Sequence, residues 1–221
     1  MQAASSRSSY PALSASVNKT LTNTFVTVGG MWVLTAAAAL FTLSWQPGTA
    51  AILGLFVLSL VLIFATMGLR NSGFGLVTLA GFAGIQGAVL GPVISQYLAM
   101  KNGAEIVGTA ALLTAGATFA CAAYAITTRK DFSQWFGFLF GGLIVVVLAS
   151  LVALFYPMPA MSLAISVISA VLFLGWMLFD VSAVVNGRET SYISAALSIY
   201  LDMLNFFLSV LRILGVAGGD D

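Results

Sequence analysis

AAILGLFVLSLVLIFATMGL, residues Ala50–Leu69, contains no charged side chain. At 1.5 Å of rise per residue such a run, wound as a helix, is about 30 Å long, the thickness of a bilayer's hydrocarbon core. Only a helix satisfies every backbone N–H and C=O inside that layer from within one segment. The stretch therefore predicts a transmembrane helix. The chain around it has the same character. Of 221 residues, 60% are hydrophobic and 7% are charged, and mean hydropathy is +1.06. A soluble domain carries roughly 25% charged residues to keep its surface hydrated. This chain must face lipid instead.

Working outward from residues 50–69, breaks in hydropathy predict seven spans at about 21–43, 50–69, 73–97, 105–127, 133–155, 160–184 and 192–214. Gln46-Pro47-Gly48, Arg70-Asn71-Ser72, Lys101-Asn102-Gly103, Arg129-Lys130-Asp131, Tyr156-Pro157-Met158-Pro159 and Asn186-Gly187-Arg188-Glu189 separate them. All these loops are short, so successive helices are antiparallel neighbours. The expected organisation is an all-α integral membrane domain over residues 19–216, behind a flexible tail at residues 1–18 rich in Ser and Ala. Six basic residues (Arg7, Lys19, Arg70, Arg129, Lys130, Arg188) fall on the N-terminal side of that topology and two (Lys101, Arg212) on the other. The positive-inside rule then predicts a cytoplasmic N-terminus.

Composition also excludes chemistries. The chain has no histidine, so Ser–His catalysis, His-based metal centres and an imidazole pH switch are absent. Its net charge of +1 offers no footprint for nucleic acid. Cys121 is the one cysteine, which rules out an internal disulfide. Lys19, Lys101 and Lys130 all lie at span ends, where none serves as a mid-membrane Schiff base. Intramembrane aspartyl catalysis lacks its Gly-x-Gly-Asp context, because the two acids discussed next sit in Leu-Phe-Asp and Tyr-Leu-Asp. The expectation is a non-enzyme without a cofactor.

Two charges do fall inside spans. Asp180 lies near the end of the sixth and Asp202 well inside the seventh. An acid at the centre of a membrane helix costs roughly 2.5–3.5 kcal/mol, so it must be paired, hydrated or protonated. The two sit on consecutive antiparallel helices, and their depths differ by about 9 Å, or about 6 Å if the last helix starts near residue 194. Ser198, Asp202 and Asn205 share one face of the last helix at i−4, i and i+3. Such a stripe points into the bundle. Two carboxyls meeting there cannot both ionise easily, which makes them the candidate proton sensor and a transient cation site. The blander reading puts Asp180 at the interface and lets Asp202 bond a neighbouring helix. In the third span, Gln86, Ser95 and Gln96 suggest the wall of a hydrated cavity, and Pro92 should kink the helix or free a carbonyl. Gly87 with Gly91, and Gly137 with Gly141, have the spacing of close helix contacts.

Ser198-Ile199-Tyr200-Leu201-Asp202-Met203-Leu204-Asn205-Phe206-Phe207-Leu208, continued by Leu211-Arg212-Ile213-Leu214-Gly215, closely resembles the signature end of the Bax inhibitor (transmembrane Bax inhibitor motif) family. Gly91-Pro92 with Tyr97, the loop Thr127–Ser133, and Phe179-Asp180 followed by Gly187 and Tyr192 agree in order. The resemblance covers roughly residues 20–215. It implies six helices around a central seventh. It also implies a pH-sensitive calcium leak channel of the bacterial inner membrane, gated by an aspartate pair that maps onto Asp180 and Asp202. Arg70 is the nearest match to a basic residue implicated at the end of the second helix. The alternative implied by the bacterial branch is a non-conducting protein that modulates a membrane-anchored AAA protease.

Overall fold

A computed structural model describes residues 14–156 and 158–218. Its described residues form seven helices, each long and apolar enough to cross a membrane. They are α1 (Ala15–Phe41), α2 (Thr49–Gly68), α3 (Phe74–Leu98), α4 (Gly103–Thr128), α5 (Phe136–Phe155), α6 (Pro159–Val185) and α7 (Tyr192–Ala217), with a 3-10 turn (Ser133–Trp135) ahead of α5. No strand occurs among the described residues. The protein is an all-α integral membrane protein, as the hydropathy predicted.

The first helix starts earlier than expected, at Ala15 inside the segment read as tail. Ser14 explains this: its Oγ accepts the Val17 N–H at 3.3 Å and caps α1 before the apolar run begins. Residues 1–13 of the expected tail lie outside the described residues.

α7 is the most buried of the seven. It touches α1, α2, α3, α4 and α6, while α5 packs against α6 and its own preceding turn. The expectation of six helices around the last is therefore met by five. α5 stays outside because it offers bulk mainly to lipid: Phe138, Val145, Leu154 and Phe155 are all exposed. It is held to α6 through Leu139, which lies against Gly175, and Gly142, which receives Leu172. The consequence is a gap between α5 and α7, closed at the back by α6.

The tightest seam joins α1 to α3. A Cβ on Gly87 would strike the Thr35 carbonyl and the Ala38 side chain; one on Gly91 would strike Thr42 and the Ala39 carbonyl. Only glycine permits that approach. The same role expected of Gly137 and Gly141 is corrected: a Cβ at either meets nothing within 4 Å. They lie on faces of α5 that no helix covers. α3 continues as a helix straight through Pro92, which lacks the N–H that would bond the Ala88 carbonyl.

At the centre, Tyr200 of α7 and Thr35 of α1 are fully buried and joined by a 2.6 Å hydrogen bond. Thr35 Oγ1 donates onward to the Ala83 carbonyl of α3 at 3.0 Å, so the tyrosine hydroxyl is the donor to Thr35. One chain of hydrogen bonds thus fixes three helices, with Trp32 and Phe82 packed on the Tyr200 ring at centroid distances of 5.6 and 5.9 Å.

Candidate functional site

α6 and α7 are antiparallel neighbours in extensive contact, and their shared face carries both intramembrane acids. Asp202 is buried, Asp180 is half-buried, and both line one cavity between their helices. A carboxylate is acceptor only, so a hydrogen bond between the two needs a proton on one of them. Asp202 Oδ2 is buried with no donor among the described residues, an acceptor that a water molecule or a cation would satisfy.

The pair stands beside the gap that α5 leaves. A cavity of about 800 Å³ fills it, lined by α5, α6 and α7, and both Asp180 and Asp202 face it. On the side of the α5–α6 loop this cavity adjoins one of about 430 Å³, with which it shares Ser150, Leu154, Ile165 and Arg212. Towards the α6–α7 turn it adjoins one of about 210 Å³ bounded by Arg188 and Glu189, with which it shares Asp180 and Ser198. Asp180 sits where these two cavities meet, and Asp202 faces the larger one.

Much of the polar lining offers acceptors, although Arg212 and the Trp176 indole N–H are donors in the same cavity. Ser150 Oγ donates to the Val146 carbonyl, Ser166 Oγ to Ser162 and Ser209 Oγ to Asn205, each one turn back along its own helix. Asn205 Nδ2 likewise donates to the Leu201 carbonyl. Each donor bonded in this way is used within its helix, leaving oxygen lone pairs for the cavity, a lining suited to water and cations. Ser198, Asp202 and Asn205 do share this face, as their spacing predicted. The stripe also runs on to Ser209 and Arg212. Those two were missed, although the same i+4 and i+7 spacing from Asp202 and Asn205 points to them.

Two other candidates lie elsewhere. Gln86 is away from the pair: its Oε1 accepts from Ser59 Oγ at 3.3 Å and links α3 to α2. Its role as latch support is therefore replaced by a structural one. Ser95 and Gln96 line a separate cavity of about 710 Å³ with Pro92 and the α1–α2 connection. Arg70 touches the site indirectly, since its carbonyl accepts from Ser191 Oγ at 3.1 Å and Ser191 caps α7. Among the described residues no third acidic or thiol ligand joins the aspartates. Calcium takes six to eight oxygens, so these two carboxyls suit a passing ion completed by water.

The loop before α5 is pinned to this hairpin. Ser182 Oγ donates to the Lys130 carbonyl at 2.9 Å, Asn186 Nδ2 bonds the same carbonyl, and Arg188 pairs with Asp131 at 3.1 Å. Asp131 also accepts the Ser133 N–H at 2.8 Å. That bond first, then the Ser133 hydroxyl and the Arg188 charge, holds its carboxyl below the usual carboxylate range.

The family model described as inhibitor of apoptosis-promoting Bax1 matches residues 17–219. The chain belongs to the Bax inhibitor family. Among its relatives, a membrane protein of Vibrio cholerae is 41% identical over 206 residues, 92% of each chain. The Escherichia coli protein named modulator of FtsH protease YccA is 34% identical over 212 residues, 93% of each chain; a second Escherichia coli strain's copy is named inner membrane protein YccA. As a Bax inhibitor family member, the chain carries two intramembrane aspartates on one cavity between its last two helices.

Proposed function

We propose that the protein is a non-enzymatic, pH-sensitive cation leak of a bacterial inner membrane, with calcium as a permeant ion and the N-terminus in the cytoplasm. The placement of Asp180 and Asp202 on one cavity, with Asp180 where it adjoins a second, carries this reading. While a proton is shared, the two carboxyls hold α6 against α7. When both ionise they repel, α7 shifts against α6, and the freed oxygens face a cation. The acceptor lining from Ser150 to Ser209 supports a hydrated path on one side of this latch. Cation flux measured in proteoliposomes across pH tests it: wild type should show a steep pH dependence that Asp202→Asn flattens. Identical profiles would refute the latch.

A second reading is favoured by the name of the 34% identical Escherichia coli relative: restraint of a membrane-anchored AAA protease without conduction. Residues 1–18 are then the natural handle. Deleting residues 1–13 should abolish modulation of the protease in co-reconstituted membranes while leaving flux untouched; unchanged modulation would count against it.

A further inference from the structure

The gap between α5 and α7 has a cationic end that the cation path does not explain. Arg212 lines both the 800 Å³ cavity and the adjoining 430 Å³ one. Among the described residues the one ion pair is Arg188 with Asp131, and no carboxylate of those residues pairs with Arg212. It lies five residues before the end of α7 at Ala217, about 7.5 Å along the axis, near enough to the helix end for its long side chain to reach the membrane interface. The smaller cavity adds Ser162 and the start of α6 at Met158 and Pro159, where Met158 provides no side-chain cap and the helix's positive end is turned to the same space. From there the larger cavity continues towards the bilayer centre along Leu154, Leu151, Val147 and Leu143 of α5. Since α5 and α7 are not in contact, this volume opens between them to the hydrocarbon. A cation at one end of a trough whose α5 wall is largely apolar is complementary to an anionic lipid. An arginine forks onto phosphate oxygens with two hydrogen bonds.

We infer that this cavity is a binding site for one anionic phospholipid, its phosphate on Arg212 and an acyl chain laid along α5 towards the aspartate pair. The site stands on the cavity and the charge alone. Where the cation reading also holds, chain and hydrated ion compete for one volume, and the lipid is a blocker of the path.

The test is lipid retention, not flux. Protein purified in mild detergent is delipidated, offered phosphatidylglycerol or phosphatidylcholine of equal chain length, and weighed by native mass spectrometry. Wild type should retain a single phosphatidylglycerol, preferred over phosphatidylcholine by roughly fivefold or more. Arg212→Gln should lose the preference and Arg212→Lys retain part of it. Ser150→Trp, which fills the trough and leaves the arginine, should lose both lipids. Lys101→Gln, a basic residue outside the cavity, should behave as wild type. Equal retention of the two lipids by wild type, or undiminished phosphatidylglycerol in both Arg212→Gln and Ser150→Trp, overturns the site.

Discussion

Asp202 has its meaning through the residue it shares a cavity with, and that much was legible: an acid inside a span demands a partner, and Asp180 is the acid on the adjoining helix. The serines were harder to read. Ser150, Ser166 and Ser209 look like ordinary membrane-helix residues until the packing shows which space they share. Gln86 shows the limit from the other side. Its polarity was plain, but which neighbour it faces depends on helix rotation, and Ser59 claims it. The Tyr200–Thr35–Ala83 chain supplies a residue-level prediction with an internal control. Tyr200→Phe leaves Thr35 bonded to Ala83 and should cost about 0.6 kcal/mol, the usual scale for a hydrogen bond between membrane helices. Thr35→Val strands the buried tyrosine hydroxyl and should cost more, about 1–3 kcal/mol. Chemical or thermal unfolding of the purified variants orders the two; the reverse order would show that Tyr200 donates elsewhere.

Among elements, the α1–α3 seam and the α5 face separate two uses of glycine that spacing alone made identical. Gly87→Ala drives a methyl into the Thr35 carbonyl and should destabilise by about 1–3 kcal/mol, the usual scale of overpacking. Gly141→Ala, with open space around it, should be neutral or slightly stabilising through helix propensity. Unfolding midpoints decide; equal losses would mean that α5 has a further packing partner. The pinned loop before α5 makes a pH prediction. Asp131 is held below its ordinary range by Ser133 and Arg188, so its contribution is present above the unfolded carboxylate's range and disappears as pH falls through its own lower value. The stability gap between wild type and Asp131→Asn should be small at neutral pH and vanish in acid. A gap that widened on acidification would reverse the sign of this contact.

For the molecule as a whole, seven spans were readable because hydrocarbon thickness and backbone hydrogen bonding leave a helix few alternatives. The place of α5 was not, because an all-round apolar helix carries no mark of which side packs. The same ambiguity hid the cavity, since a gap between helices belongs to no single sequence segment. The orientation that the basic residues predict is open to direct labelling. In a Cys121→Ala background, Lys130→Cys should react with an impermeant maleimide only in inverted membranes and Lys101→Cys only in intact cells; the opposite pattern would invert the topology. In the proposed latch, a proton decides whether α6 and α7 stay together. Its most direct test is the Asp180–Asp202 carboxyl separation determined in lipid at an acid and an alkaline pH. The latch requires hydrogen-bonded carboxyls at the acid pH and parted ones, with α7 displaced against α6, at the alkaline pH. One unchanged separation at both would contradict it.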